Sequence, residues 1–237
     1  MYVLTRPGGV SADEWAETLR TDASTALAQA GALGVVVNVA DSDVEPAAAH
    51  RIVARDSPID AVVQVWVHTA NDPERAPVDA VLAEVSASAD VRLVTESRAL
   101  ADTRGTAVGD RTPGFSQMAF VTRRPEMDIE AFRKIWLCDH TRVAIDAQET
   151  HLYLQNAVAR TVGEPGPAWD AIVEEAFTAE AMTDPHAFFD SGGDDEVLAA
   201  NQQAIFSSVE RFIDLSVIEV VPTSRYVTVN RLAAGAL

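Results

Sequence analysis

The chain has 237 residues, 48% of them hydrophobic, enough for one large domain or two modules of about 100 residues each. Its net charge is −18, and its 18 basic residues are scattered and include a single lysine, Lys134. This argues against nucleic acid, which needs clustered cations to displace counterions from phosphate, and against an anionic membrane. The lone cysteine, Cys138, excludes an internal disulfide and a multi-cysteine metal site.

The start, "MYVLTRPGGV", lacks the charged-then-apolar plan of a signal segment, and no apolar run approaches the roughly 20 residues that span a bilayer. The expectation is a soluble, cytoplasmic protein. The preference for arginine, with abundant alanine, suggests a high-GC bacterial source.

In chain order the elements fall into two series. The first is a short strand in "YVLT", a helix after the N-cap Ser11, strands "GVVVNVA" (34–40) and "DAVVQVWV" (60–67), a helix in "APVDAVLAEVSASAD", and a strand "VRLVTESR" (91–98). A polar, Gly- and Pro-containing stretch, "ADTRGTAVGDRTPG" (101–114), follows.

The second series repeats the first: "FVTRRPEMDIEAF" (120–132) with N-cap Asp128, "LYLQNAVA" (152–159), "DAIVEEAF" (170–177) and "IEVVPTSR" (218–225). Four matches in one order indicate internal duplication. Strand–helix–strand–strand–helix–strand is the ferredoxin-like pattern. Each four-stranded sheet needs its bare face covered, so two in one chain are expected to cover each other.

The predicted fold is therefore α+β, with two ferredoxin-like βαββαβ repeats whose antiparallel sheets pack as a fused, pseudo-symmetric barrel. The expected division is a degenerate repeat at 1–100, a linker at 101–113, a second repeat at 114–230 with extra helical material at 178–215, and a tail at 231–237.

The helix predicted over 128–146 carries Ile129, Phe132, Trp136, His140 and Val143 on one face. The matching stripe of the first half is Trp15, Leu19, Ala23 and Ala26, which puts Ala23 in the slot of His140. Packing at this position does not require histidine. The alternative is a core histidine bonded to a backbone carbonyl.

On the third strand, Glu174 and Glu175 replace Gln64 and Val65 and must point to opposite faces. A histidine and a carboxylate in one apolar pocket can carry out general acid–base chemistry. The alternative is one solvated glutamate and one in an ion pair, for instance with Arg124. Tyr153 and Asn156, on opposite faces of "LYLQNAVA", can hydrogen-bond a ligand, and Phe120, Phe132, Trp136 and Phe177 can supply an aromatic lining. No spacing demands a metal at His140, His151 and Glu174, and no nucleotide-binding glycine motif is present.

The stretches "RRPEMDIEAFRKIWLCDH", "YLQN", "DAIVEEAF" and "RFID" resemble the EthD-like family of the dimeric α+β barrel superfamily over about 113–226. Arg123, Arg124, Pro125, Phe132, Trp136, His140, Tyr153, Asn156 and Glu174 fall on that family's pattern, whereas Glu175 and Ala176 depart from it. The resemblance implies the barrel fold in a tandem form.

The expected function is a cofactor-independent acid–base enzyme, a lyase, dehydratase, cyclase or isomerase akin to polyketide cyclases, acting on a small apolar or aromatic carbonyl compound. His140 and Glu174 are the expected catalytic pair, and Trp136, Tyr153, Asn156, Arg124, Phe132 and Phe177 the binding residues. No metal or other cofactor is expected, and the chain is expected to act as a monomeric pseudo-dimer or a homodimer. The alternative is a non-catalytic small-molecule binding or accessory protein.

Overall fold

In the computed structural model the described residues are 1–56, 58–164 and 166–232. The last five residues of the expected tail, 233–237, lie outside them. Eight strands are present: β1 (Tyr2–Thr5), β2 (Gly34–Val39), β3 (Ala61–Trp66), β4 (Ser88–Leu100), β5 (Phe115–Val121), β6 (Thr150–Val162), β7 (Ala171–Phe177) and β8 (Glu219–Asn230). They form a closed barrel in the order β1-β3-β2-β8-β5-β7-β6-β4. Every neighbouring pair is antiparallel.

Each half contributes a block in which the fourth strand lies beside the first, the first beside the third and the third beside the second: β4-β1-β3-β2 and β8-β5-β7-β6. The blocks join through β2 against β8 and β4 against β6, so that no sheet edge is left open among these strands. Among the described residues no helix is long and apolar enough to cross a membrane.

Side chains alternate along each strand, which divides the core into an inside and an outside of the barrel. Val3, Val62, Met118, Phe120, Ile172 and Val221 meet in the interior. The outside of the first half packs on helix 12–29 and on helix Asp72–Val85 through Trp15, Leu19, Leu27, Val78 and Leu82. The outside of the second half packs on helix 129–147 through Phe132, Trp136 and Ala144.

The two long helices share a local device. Helix 12–29 widens into a π-helical turn over Leu19–Ala23, and helix 129–147 does so over Ile135–His140. Ser11 caps the first in a capping box with Glu14, and Asp128 caps the second.

Their buried side chains then follow at steps of four: Trp15, Leu19, Ala23 and Leu27 in one, Phe132, Trp136, His140 and Ala144 in the other. On an unbroken α-helix each step of four overshoots a full turn by about 40°. The wider turn takes up the excess and keeps the stripe on the sheet. This is why the stripes end on Leu27 and Ala144 rather than on the Ala26 and Val143 that regular periodicity selects. A hydroxyl side chain follows each wide turn and donates to the carbonyl five residues back, Ser24 to Leu19 at 2.7 Å and Thr141 to Trp136 at 2.9 Å.

Residues 101–114 carry neither helix nor strand, and β5 starts immediately after them. At the junction Gly114 has φ +89°, and a Cβ there would sit 1.8 Å from the carbonyl oxygen of Phe177. Both the left-handed backbone and the contact require glycine. Gly114→Ala is expected to lower stability by about 3 kcal/mol or more. Chemical denaturation of the full chain measures this, with Gly163→Ala, where nothing lies within 4 Å of the added carbon, as the strain-only reference.

Candidate functional site

Strand alternation separates the two adjacent glutamates. Glu174 points into the barrel and is fully buried. Its carboxylate accepts from Arg225 Nε at 2.7 Å, from Asn38 Nδ2 at 3.2 Å and from Gln64 Nε2. Glu175 points the other way, towards the helices, and lines a cavity of about 120 Å3 together with His140. The expected pairing of His140 with Glu174 is thus not formed; the sheet lies between them, and the carboxylate facing the histidine's cavity is Glu175.

The cavity is built in layers. Its floor is the outward face of the second-half sheet: Gln117, Ala119 and Val121 of β5, Val173 and Glu175 of β7, and Tyr153 of β6. Trp136 and His140 wall it from helix 129–147. Ile205 and Val209 of helix Asp195–Val209 roof it, with Phe212 and Ile213 beyond.

In the first half the corresponding place is packed by helix Asp72–Val85, which drives Val78 and Leu82 into the core. Helix Asp195–Val209 fully buries only Ser208.

His140 is 9% exposed, and its Nδ1 shares a 2.9 Å hydrogen bond with Ser208 Oγ. Its ring lies 5.1 Å from that of Phe212. Burial, and then the positive charge of Arg211, lower its pKa to about 4, so it is neutral at neutral pH. Nε2 has no partner among the described residues.

Burial raises the pKa of Glu175 to about 7. Burial, and then the charge of Glu175, push the Tyr153 hydroxyl up, so that it stays protonated. One apolar hollow therefore holds a carboxyl poised near neutrality, a phenol that keeps its proton to donate, and an uncharged imidazole.

The other expected binding residues do not join it. Asn156, opposite Ile172, faces the barrel interior, with neither amide atom hydrogen-bonded among the described residues. Phe132 is core packing between Trp136 and Phe212. Phe177 stacks with Phe115 and Phe188 in a separate cluster. Arg124 is exposed, paired with Glu126 and donating to the Glu210 carbonyl at 2.9 Å.

His151 lies against Arg104, away from both His140 and Glu174. Among the described residues no three His, Cys, Asp or Glu side chains converge as a metal site requires. Gln117, Gln148 and Ser208 line or support the hollow without any sequence signal that singles them out; Glu175 carried one, since it stands where the first half has Val65.

No protein-family model matches the chain, and no curated protein matches it in sequence. It is similar in structure to a crystal structure described as an "anthrone oxidase-like protein", with a TM-score of 0.53 and 12% identity over 100% of this chain and 94% of that one. At that identity the likeness is one of fold: an α+β barrel.

The two shifted groups act oppositely on stability. Glu175 binds its proton more tightly folded than unfolded, so the stability it lends is full below about 4.5 and is lost as pH rises through about 7. His140 binds its proton less tightly folded, so its contribution is full above 6.5 and is lost as pH falls through about 4. Glu175→Gln is expected to melt above the parent protein at pH 8, with the gap closing towards pH 4. Thermal melts across that range check the sign.

Proposed function

We propose that the protein is a cofactor-independent acid–base enzyme that removes a proton beside the carbonyl of a small apolar or aromatic compound bound in the His140–Glu175 hollow. The observation that carries this reading is the buried carboxyl of Glu175, raised to about 7 in an apolar cavity that it shares with Tyr153 and His140. A base poised near the working pH is what proton abstraction from carbon needs.

In the proposed step the Glu175 carboxylate takes the proton. The C–H electron pair forms the carbon–carbon double bond of an enolate, and the carbonyl electrons move onto an oxygen that accepts from the Tyr153 hydroxyl. Protonated Glu175 then returns that proton to the distal carbon, which completes an isomerisation, or to the departing group when one lies one carbon further on, while uncharged His140, fixed by Ser208, hydrogen-bonds the substrate through Nε2. Trp136 and the aliphatic side chains of the floor and roof hold the body of the substrate and keep water out.

The hollow, at about 120 Å3, is smaller than the roughly 300 Å3 at which ligand pockets usually begin. Ring systems of two or more rings therefore need helix Asp195–Val209 to move outward, and its shallow burial permits this.

The matching strand order of the halves and the repeated sequence stretches support reading the chain as two fused ferredoxin-like repeats, divided near 101–113, with the second related to the EthD-like family. The fold neighbour, described as anthrone oxidase-like, is consistent with an aromatic ketone as ligand. The second reading is a binding protein that holds such a ligand unchanged. It is favoured by the absence of any hydrogen bond linking His140 to Glu175.

Exchange of α-protons of 1-indanone and 2-tetralone in D2O, followed by NMR, separates the two. The enzyme reading expects catalysed exchange that rises through about pH 7. It expects a loss of about 100-fold or more in Glu175→Gln and a smaller loss in His140→Ala. Saturable binding without exchange supports the second reading, and exchange undiminished in Glu175→Gln removes the proposed base.

A further inference from the structure

The sequence stretches "VTESR" (94–98) and "VPTSR" (221–225) close the two halves of the chain. The arginines that end them, Arg98 on β4 and Arg225 on β8, line one cavity of about 220 Å3 at a mouth of the barrel. Each guanidinium is anchored by a glutamate, Arg98 by Glu96 at 3.1 Å and Arg225 by Glu174 at 2.7 Å. Leu152, Leu154 and Val227 give the cavity an apolar side, and residues 101–106 pass across it as a wall.

Two side chains in this cavity carry hydrogen-bond donors that are unused among the described residues. Arg225 is 7% exposed, and only its Nε is bonded, so both Nη groups lack a partner among the described residues. Thr112 is 3% exposed, and its Oγ1 is buried with no partner among the described residues. The two are held together by the Thr112 N–H donating to the Arg225 carbonyl at 2.8 Å. Asp102, the acidic residue of the wall, is already paired with Arg104 at 2.9 Å. The buried Thr112 hydroxyl left without an acceptor is costly, so a group that supplies an acceptor beside the open Arg225 Nη groups is favoured.

We propose that this mouth is a second ligand site, separate from the His140 hollow, that takes a small organic carboxylate. The planar guanidinium edge presents two N–H groups in the fork that matches a carboxylate. The Thr112 hydroxyl adds a third donor to it, and the apolar side receives the body of the ligand. Because Glu174 offsets the charge of Arg225, recognition comes from the geometry of the donors more than from net charge. Segment 101–114, which joins the halves and bonds along β8, also forms the wall of this site.

Benzoate titrated calorimetrically into the full chain at pH 7, with benzamide as the neutral comparison, tests the proposal. One benzoate per chain is expected to bind, and benzamide about tenfold more weakly or not at all. Thr112→Val should weaken benzoate about fivefold. The double variant Glu174→Gln with Arg225→Gln, which keeps the interior neutral and hydrogen-bonded, should weaken it about tenfold or more while remaining folded by circular dichroism. If the double variant does not fold, Thr112→Val alone decides. The proposal is overturned by the absence of saturable binding, by benzamide binding as well as benzoate, or by benzoate binding that survives Thr112→Val and, where it folds, the double variant.

Discussion

The carboxylate of Glu174 is the point on which the two halves converge. It lies in the barrel interior on β7 and accepts from Arg225 on β8, Asn38 on β2 and Gln64 on β3, so one side chain of the second half is bound by two of the first. Breaking such a buried ion pair by removing one partner costs about 3–5 kcal/mol, because the remaining charge is left without compensation. The pair also sets the register of β7. A slip by one residue would bring Glu175 inside and send Glu174 to the helices, so the network that ties the interior also holds Glu175 in the outer hollow.

Around that constraint the halves diverge. Their long helices share caps, a wide turn at the same place and a hydroxyl that bonds back into it. At the end of the wide turn one helix has Ala23 and the other His140. The first half closes over the alanine with Val78 and Leu82. The second covers the histidine with a helix that barely enters the core. The hollow thus arises from an altered covering element as much as from the residue it covers.

Much of the barrel could be read from the sequence because strand alternation and internal repetition are local signals. A barrel follows once each bare sheet face needs a partner. The slot of His140 could also be read, since Ala23 stands at the matching place.

The choice between Glu174 and Glu175 could not. Alternation says that they oppose each other, but which face is which depends on Arg225, Asn38 and Gln64, partners 51 to 136 residues away. Asn156 fails for the same reason: it is one step out of phase with the helix-facing side chains and so joins the interior. Phe177 and Arg124 are displaced by the element that follows β7, because Phe188 of that element stacks on Phe177 and Glu210 accepts from Arg124. Nothing in local periodicity reports where an insertion folds back.

Joining the two sheets through residues 101–114 has an evolutionary consequence. In a barrel assembled from two identical chains, symmetry writes every substitution twice, so a mutation that carves a binding hollow on one side also weakens the other. A covalent connection lifts that rule. One flank can remain a dense buttress while its counterpart gives up packing for chemistry, and the two can then drift at independent rates.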